Sequence, residues 1–360
     1  MCITMNTDQS IFGKRLKQAR KMRGWSLAQL REEINELVTV AALSKYEKGQ
    51  SMASSRVLVA LSEALDVSLD YLFRDFEVEL DRIRFRKMST LPKKEQGRIT
   101  EEARDFFERY FEIEELVDPR PKFESPIQSA LSQDYEAMAD KLREAWNIGE
   151  DPIPNVHALL EEKGIKVWYA QNCDDKFDGF SADTERGPVI VVSAHKSAAR
   201  KRMTALHELA HILCEPMQMD EKEEEKFVKG FTGAILLPKK ALLSMLGRTR
   251  KSIPLGELLE IKKRFGISMG GIVMRAVQLE ILPKDYVRQF FGFGPGKNWR
   301  KKEPWDNRLG SLFPENHVRF RQLVFRAYGE DLITISQAAN YLGCSIEEAN
   351  QQMNAPFQDE

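Results

Sequence analysis

The chain has 360 residues, 54 basic against 55 acidic, a formal net charge of −1 and 42% hydrophobic residues. It is too long for one ordinary core, so two or three domains are expected, and the balanced charge leaves any nucleic-acid contact to a local patch. There is no apolar run of about 18 residues. The opening MCITMNTDQS lacks a signal-peptide pattern, and Cys2, Cys173, Cys214 and Cys344 form no C-x-x-C pair, so a cytoplasmic protein without disulfides or membrane contact is expected.

Residues 11–75 read as five short helices. Phe12, Leu16 and Ala19 repeat at helical spacing, with Lys14, Arg15, Lys17, Arg20 and Lys21 between them, and Gly24 ends the segment. Ser26-x-x-Gln29 fits a capping box that opens a second helix, and a third spans 39–48, closed by Gly49. Leu58, Leu61, Leu65, Leu69 and Leu72 complete a small core. The positions of Leu16, Ala19, Arg20, Ser26, Leu27 and Leu30, with LSKYEKG at 43–49, resemble the Cro/repressor-type (XRE) helix-turn-helix family. The resemblance implies that the 39–48 helix enters the major groove of double-stranded operator DNA. Gln29, Thr39, Ala41, Ala42, Ser44 and Lys45 are then the candidate DNA-binding residues. Two departures stand out. Asn35, Glu36 and Leu37 lengthen the turn, and the groove-facing positions are poor in the Asn, Gln and Arg that read bases bidentately. A small helical module for protein contacts is the alternative.

Residues 76–125 form a charged connector, expected as two helices broken at Leu91-Pro92. It carries Phe85 and then an aromatic stripe of Phe106, Phe107, Tyr110 and Phe111, which fits a homodimer contact, packing on the next domain, or a solvated connector docked locally. Pro119, Pro121 and Pro126 mark a boundary.

A helix is expected over 127–150, burying Ala130, Ala137, Met138, Leu142 and Trp146, and another over 155–163, stopped by Gly164. Strands follow at 165–169 and 188–193, with a short third strand at 177–182 between them. Such a three-stranded edge beside a helix would offer a peptide a strand to pair with.

Next comes His207-Glu208-Leu209-Ala210-His211, an H-E-x-x-H pentapeptide. Residues four apart share a helix face, so His207 and His211 can grip one metal ion. Glu208 then lies beside the open coordination position, where it can take a proton from water. Leu206, Leu209, Ile212 and Leu213 would bury the rest of the helix. An acidic run at 220–225 offers further carboxylates, including Glu221, Glu223, Glu224 and Glu225, although a solvated helix start would look the same. His195 is read as a surface-loop residue or an oxyanion donor, and Tyr169 as a core aromatic or an oxyanion donor. His157 and His317 are read as structural.

The ordered pieces REAWNIGEDP at 143–152, LEEKGIKV at 160–167, RMTALHELAH at 202–211 and FTGAILLP at 231–238 resemble the ImmA/IrrE family of metallopeptidases. The resemblance implies an α+β, minimal thermolysin-like zinc peptidase domain over 126–245 with a small sheet. Its third zinc ligand is a glutamate on the following helix, which falls on Glu225 when counted back from residue 231. The polar residue expected four positions later is replaced by Lys229, which cannot accept a hydrogen bond from a ligand histidine. The implied substrate is a protein, another helix-turn-helix repressor, cleaved in a stress or mobile-element response.

Residues 246–360 are expected to form a helical C-terminal domain that senses a ligand or binds a partner. Two helix-turn-helix outlines recur at 258–277 and 335–349, and the glycine-rich stretch at 291–299 reads as a flexible connection. The whole is a multidomain, predominantly α chain: helix-turn-helix at 10–75, connector, zinc domain and helical tail. Two functions compete, a regulator with a working zinc endopeptidase and a non-proteolytic, antitoxin-like repressor using the metal domain as sensor or scaffold.

Overall fold

A computed structural model describes residues 2–75, 78–85, 91–127, 133–214, 217, 219–299, 303–315 and 318–354, the side chains of 2–7, 84 and 85 excepted. Ala130 and His317, and the side chains of Cys2 and Phe85, lie outside the described set. The chain begins with α1 (Cys2–Met22), α2 (Leu27–Glu33), α3 (Val40–Glu47), α4 (Ser55–Leu65), β1 (Asp81–Phe85) and α5 (Lys93–Val117). It continues through α6 (Tyr135–Ala145), α7 (Val156–Glu162), β2 (Lys166–Ala170), β3 (Gly179–Asp183), β4 (Val189–Ser193), α8 (Ala198–Cys214) and α9 (Glu221–Leu236). The last helices are α10 (Lys239–Leu246), α11 (Leu255–Phe265), α12 (Met269–Gln278), α13 (Tyr286–Gly292), α14 (Asp306–Leu312), α15 (Val318–Gly329), α16 (Ile335–Leu342) and α17 (Ile346–Asn354). The architecture is multidomain and predominantly α with one small sheet. Among the described residues no helix is long and apolar enough to cross a membrane.

The chain divides into two compact units. One comprises 1–80, 90–120 and 320–360, and the other 81–89 and 121–319. This grouping is not linear. Residues 246–360, expected as one domain, are shared between the units, and the 76–125 connector is likewise divided.

In the first unit, α1–α4 and a 3-10 turn at Asp70–Phe73 bury Phe12, Leu16, Leu30, Leu43, Leu61 and Leu72 in one core. Gly13 lets α1 touch the end of α3, since a Cβ there would collide with the Tyr46 carbonyl oxygen and lie 2.9 Å from the Gly49 amide nitrogen. Helix α5 packs beside α1. Its Glu108 accepts from Arg15, and Arg74 reaches both Asp105 and Glu108 at 2.9 Å. Burial pushes the Asp105 carboxyl up, but Arg109 and Arg74 outweigh it and hold the group below its ordinary range. The aromatic stripe of α5 is covered by the chain's own C-terminal helices: the Phe320 ring lies 5.1 Å from Phe106 and 5.4 Å from Tyr110, and Arg109 donates to the Tyr341 carbonyl at 2.6 Å. The stripe packs on these C-terminal helices rather than on the domain that follows it in sequence.

The second unit is built on a four-stranded sheet in the order β1-β3-β4-β2. Strands β2 and β4 pair in parallel, while β3 pairs antiparallel with β4 on one side and β1 on the other. Strand β4 is buried at all five positions. A continuous apolar run of this kind suits a central strand covered on both faces. The expectation of two helices in the connector is corrected by β1. Ile83 and Phe85 alternate with polar neighbours, a period of two that a sheet edge can use, and Pro92 then N-caps a single helix, α5. The glycine-rich stretch is folded rather than flexible. Gly296 is buried where a Cβ would lie 2.5 Å from the Phe290 ring, and Trp299 meets that ring edge-on at 5.6 Å.

Buried cations tie this unit together, Arg143 and Arg202 among them. Arg143 donates to the carbonyls of Gly149, Asp151 and Ile235, and desolvation lowers its pKa to about 10. Arg202, fully buried, donates to Glu315 at 2.7 Å and to the Ile153 carbonyl at 2.7 Å, while Glu315 accepts from the Val156 and His157 amides at the start of α7. The motif helix α8 is thereby anchored at its first turns, and its middle rests on β3 and β4. Contact with β3 is close, because Gly179 offers no Cβ where one would lie 2.6 Å from the Val191 carbonyl and 2.7 Å from the Thr204 methyl.

Candidate functional site

The pentapeptide occupies the third and fourth turns of α8. Leu206, Leu209, Ala210 and Leu213 point into the core, so the helix cannot rotate without exposing them. His207 and Glu208 are buried and His211 is partly open. The two imidazoles face each other at one point in space, with Nε2 atoms 3.1 Å apart and ring planes 77° from parallel. Helix α9 crosses alongside, N-capped by Asp220, which accepts from the Lys222 and Glu223 amides. Its buried side, Phe227, Val228 and Phe231, fixes the helix so that Glu224 and Glu225 reach back toward α8.

Glu225 Oε1 lies 3.6 Å from both His207 Nε2 and His211 Nε2. Among the described residues these three side chains form the one group of potential metal donors within 4.8 Å of one another. The triangle's edges of 3.1, 3.6 and 3.6 Å bracket the ~3.3 Å ligand separation of a tetrahedral zinc ion with bonds near 2.0–2.1 Å. The donor chemistry also fits. His211 Nδ1 lies 2.7 Å from Glu224 Oε1, so its proton is best placed there, and the lone pair of Nε2 is left facing the other two donors. His207 Nε2 faces that lone pair at 3.1 Å, a separation that calls for a cation or a proton between the two nitrogens.

Glu224, one of the carboxylates the acidic run offered as a ligand, lies against the outer nitrogen of His211 and outside the donor group. Lys229 does not orient a histidine; its Nζ pairs with the other carboxylate oxygen of Glu225 at 3.0 Å. Glu221 and Glu223 are in the first turn of α9 and outside the donor group. Glu208 turns toward the sheet, where Ser181 Oγ donates to its Oε2 at 3.1 Å. Sequence reasoning missed Ser181. The available signal was a hydroxyl within an otherwise buried strand, which becomes informative only once β3 is placed against α8. Cys214, at the end of α8, has its thiol pushed up to about 12 by burial, assisted by Glu224.

The other proposed participants lie elsewhere. His195 is exposed in the turn after β4 and its Nε2 is engaged by the Gln171 carbonyl. Tyr169 packs against the His157 ring, 5.2 Å away, in the core, and burial holds its phenol well above the ordinary value.

In the helix-turn-helix segment, Thr39 N-caps α3 by accepting from the Ala42 amide, and the predicted capping box of Ser26 and Gln29 is present at α2. Leu43 is buried, which leaves Ala41 and Lys45 exposed, with Ala42 and Ser44 partly so. Thr39 and Gln29 are exposed as well. The lengthened turn is made by two consecutive residues with positive φ, Asn35 at 52° and Glu36 at 56°. Glu36 is held there by Arg31 at 2.7 Å.

Fold and site together define a helix-turn-helix protein that carries an H-E-x-x-H domain. Comparison with known families agrees. Residues 16–72 match the helix-turn-helix model and residues 160–276 the model described as an IrrE N-terminal-like domain. Residues 16–72 are thus similar to XRE-type helix-turn-helix segments and residues 160–276, which reach into α12, to IrrE/ImmA-like peptidase domains. An uncharacterized HTH-type transcriptional regulator of Rickettsia conorii is similar over 68 residues at 41% identity. That similarity covers 19% of this chain and 53% of the relative, so the chain spans about half of the relative's length.

Proposed function

We propose that this chain is a cytoplasmic transcriptional regulator that binds operator DNA through α3 and hydrolyses a protein substrate at a zinc site made by His207, His211 and Glu225. The observation that carries the reading is the triangle of donors with Glu208 one residue away on the same helix. A zinc ion held there would supply Lewis-acid activation of a water and of a peptide carbonyl. Glu208, its carboxylate held by Ser181, accepts the proton of the attacking water and passes it to the departing amine nitrogen. Glu224 fixes the His211 tautomer, and the apolar surround of α8 keeps the donors rigid. The substrate best supported by the family resemblance is another helix-turn-helix repressor, removed under stress or on induction of a mobile element.

The test pairs Glu208→Gln with the wild type in a cell carrying a reporter of the regulated operon. Glu208→Gln is expected to retain the metal and the DNA contact while losing both repressor cleavage and derepression. If cleavage and derepression both persist, the proposal is wrong. One observation favours a second reading. Lys229 holds Glu225 Oε2 and competes for the ligand's charge, as would suit a metal domain serving as a sensor or scaffold without proteolysis. That reading gains if Ser44 or Lys45 substitutions alone alter regulation.

A further inference from the structure

A three-stranded sheet beside α8 would leave an edge for a peptide to pair with, and in the four-stranded sheet that edge would be β3 if β1 were absent. That edge is taken. The chain's own segment at 81–85 forms β1 on the outer side of β3, with Cα partners Asp81↔Asp183, Arg84↔Ser181 and Phe85↔Phe180. Ser181 is the residue whose hydroxyl holds Glu208, so the backbone of β1 passes directly opposite the strand position nearest the proposed general base. With β1 seated, β3 lies between two neighbouring strands, β1 and β4, and does not present an open edge to a further strand. On this side of the sheet a peptide would add to the outer edge of β1, about 4.8 Å farther from Ser181 and Glu208.

The first three residues of β1 are weakly seated compared with the rest of the sheet. Asp81 and Arg82 are exposed and Ile83 is only half buried, whereas β4 is buried throughout. The ladder changes register between Asp81 and Arg84. Arg82 sits at φ 45°, a conformation unfavourable for a residue with a Cβ. Asp81 stands directly across from Asp183, and like charges in that position oppose pairing. The 3.9 Å pair between Arg82 and Asp183 joins two well-exposed side chains and adds little.

We infer that β1 is a resident strand occupying the peptide-pairing edge of the site, and that an extended peptide reaches Glu208 by displacing β1 and pairing antiparallel with β3. The ligand class is a single extended segment with alternating polar and apolar residues, as β1 itself has in Asp-Arg-Ile-Arg-Phe. The inference rests on the peptidase reading for hydrolysis of the bound peptide, but not for binding itself.

The experiment uses the full chain carrying Glu208→Gln and a fluorescein-labelled peptide with the sequence of residues 79–85, followed by fluorescence anisotropy. Ile83→Pro removes a backbone N–H and unseats β1, and the Asp81→Cys/Asp183→Cys pair, once oxidised, locks it. The unseated chain should bind the peptide at least ~10-fold more tightly than the chain with native β1. The locked chain should not bind it until reductant is added. Equal binding by native, unseated and locked chains overturns the inference. Should Ile83→Pro fail to fold, the comparison of locked and reduced forms decides the matter in the same way. Hydrolysis is then read by mass spectrometry in chains that keep Glu208. Binding that tracks the open and locked states without any hydrolysis supports the resident strand and counts against the peptidase reading. Hydrolysis at one rate in open and locked chains overturns the resident strand while the peptidase reading stands.

Discussion

Glu224 and Glu225 are adjacent on one helix and both reach the histidines, yet the geometry gives them different work, and metal affinity separates them. Glu225 Oε1 is 3.6 Å from both Nε2 atoms, whereas Glu224 touches only the far nitrogen of His211, at 2.7 Å. Removing a carboxylate that orients a ligand histidine costs about 10–100-fold in metal affinity. Glu224 is about a third exposed, so solvent screening favours the lower part of that range, ~10–30-fold or about 1.4–2 kcal/mol. Glu225→Ala removes a donor outright and should abolish tight binding. Lys229 is half exposed and 3.0 Å from Glu225 Oε2. Lys229→Ala frees that ligand's charge and should raise affinity by less than about fivefold, the scale of an exposed ion pair. The assay is competitive zinc titration against a chromophoric chelator, with metal content measured after dialysis. One zinc per chain is expected for the wild type, Glu224→Ala and Lys229→Ala. Unchanged affinity in Glu224→Ala would refute the orienting role, and loss of zinc in Glu224→Ala but not Glu225→Ala would exchange the two assignments.

Arg202→Met leaves Glu315 buried without its partner and should destabilise the second unit by about 3–5 kcal/mol in urea unfolding; a change under ~1 kcal/mol would mean the network is dispensable. Gly13→Ala drives a Cβ into the Tyr46 carbonyl oxygen, so α1 must shift off α3. A loss of at least ~2 kcal/mol is expected, with the far-ultraviolet melt as readout, and an unchanged melt would contradict the close approach. Lys45→Ala should weaken DNA binding and reduce the slope of log affinity against log salt by about one. An unchanged slope would place Lys45 away from the phosphates. With its thiol pushed up to about 12, Cys214 should be thiolate in about one molecule in ten thousand at pH 8. It should therefore resist iodoacetamide in the folded chain and react in urea, with peptide mass mapping as the check. Labelling at the rate of the half-buried Cys173 would contradict the burial.

Much of the second unit was legible because its signals are local. His207, Glu208 and His211 follow from the pitch of one helix, and the buried run 188–193 marks a central strand whatever it pairs with. The capping box at Ser26 set one helix start, and the starts expected at 39 and 155 fall on the residues that N-cap α3 and α7. Signals that failed depend on partners distant in sequence. The Phe106 and Tyr110 stripe announced a contact but could not say that Phe320, more than two hundred positions later, would make it. Gly296 looked like a flexible joint because a glycine next to an aromatic ring and a glycine in a loose loop read alike.

The same limit explains why the histidine-orienting carboxylate and β1 were out of reach. Residue types at fixed spacing identify donors, but the tautomer of His211 is decided by which carboxylate lies against Nδ1, and that depends on how α9 crosses α8. Glu224 and Glu225 differ by about 100° around the helix, a difference that composition cannot resolve. In β1, five residues inside a charged connector give too short a pattern to set against helical spacing. Only β3, a hundred residues later, supplies the edge that makes Asp81–Phe85 a strand. A strand that depends so wholly on its partner, with its first two residues exposed, is also the strand most readily exchanged for another.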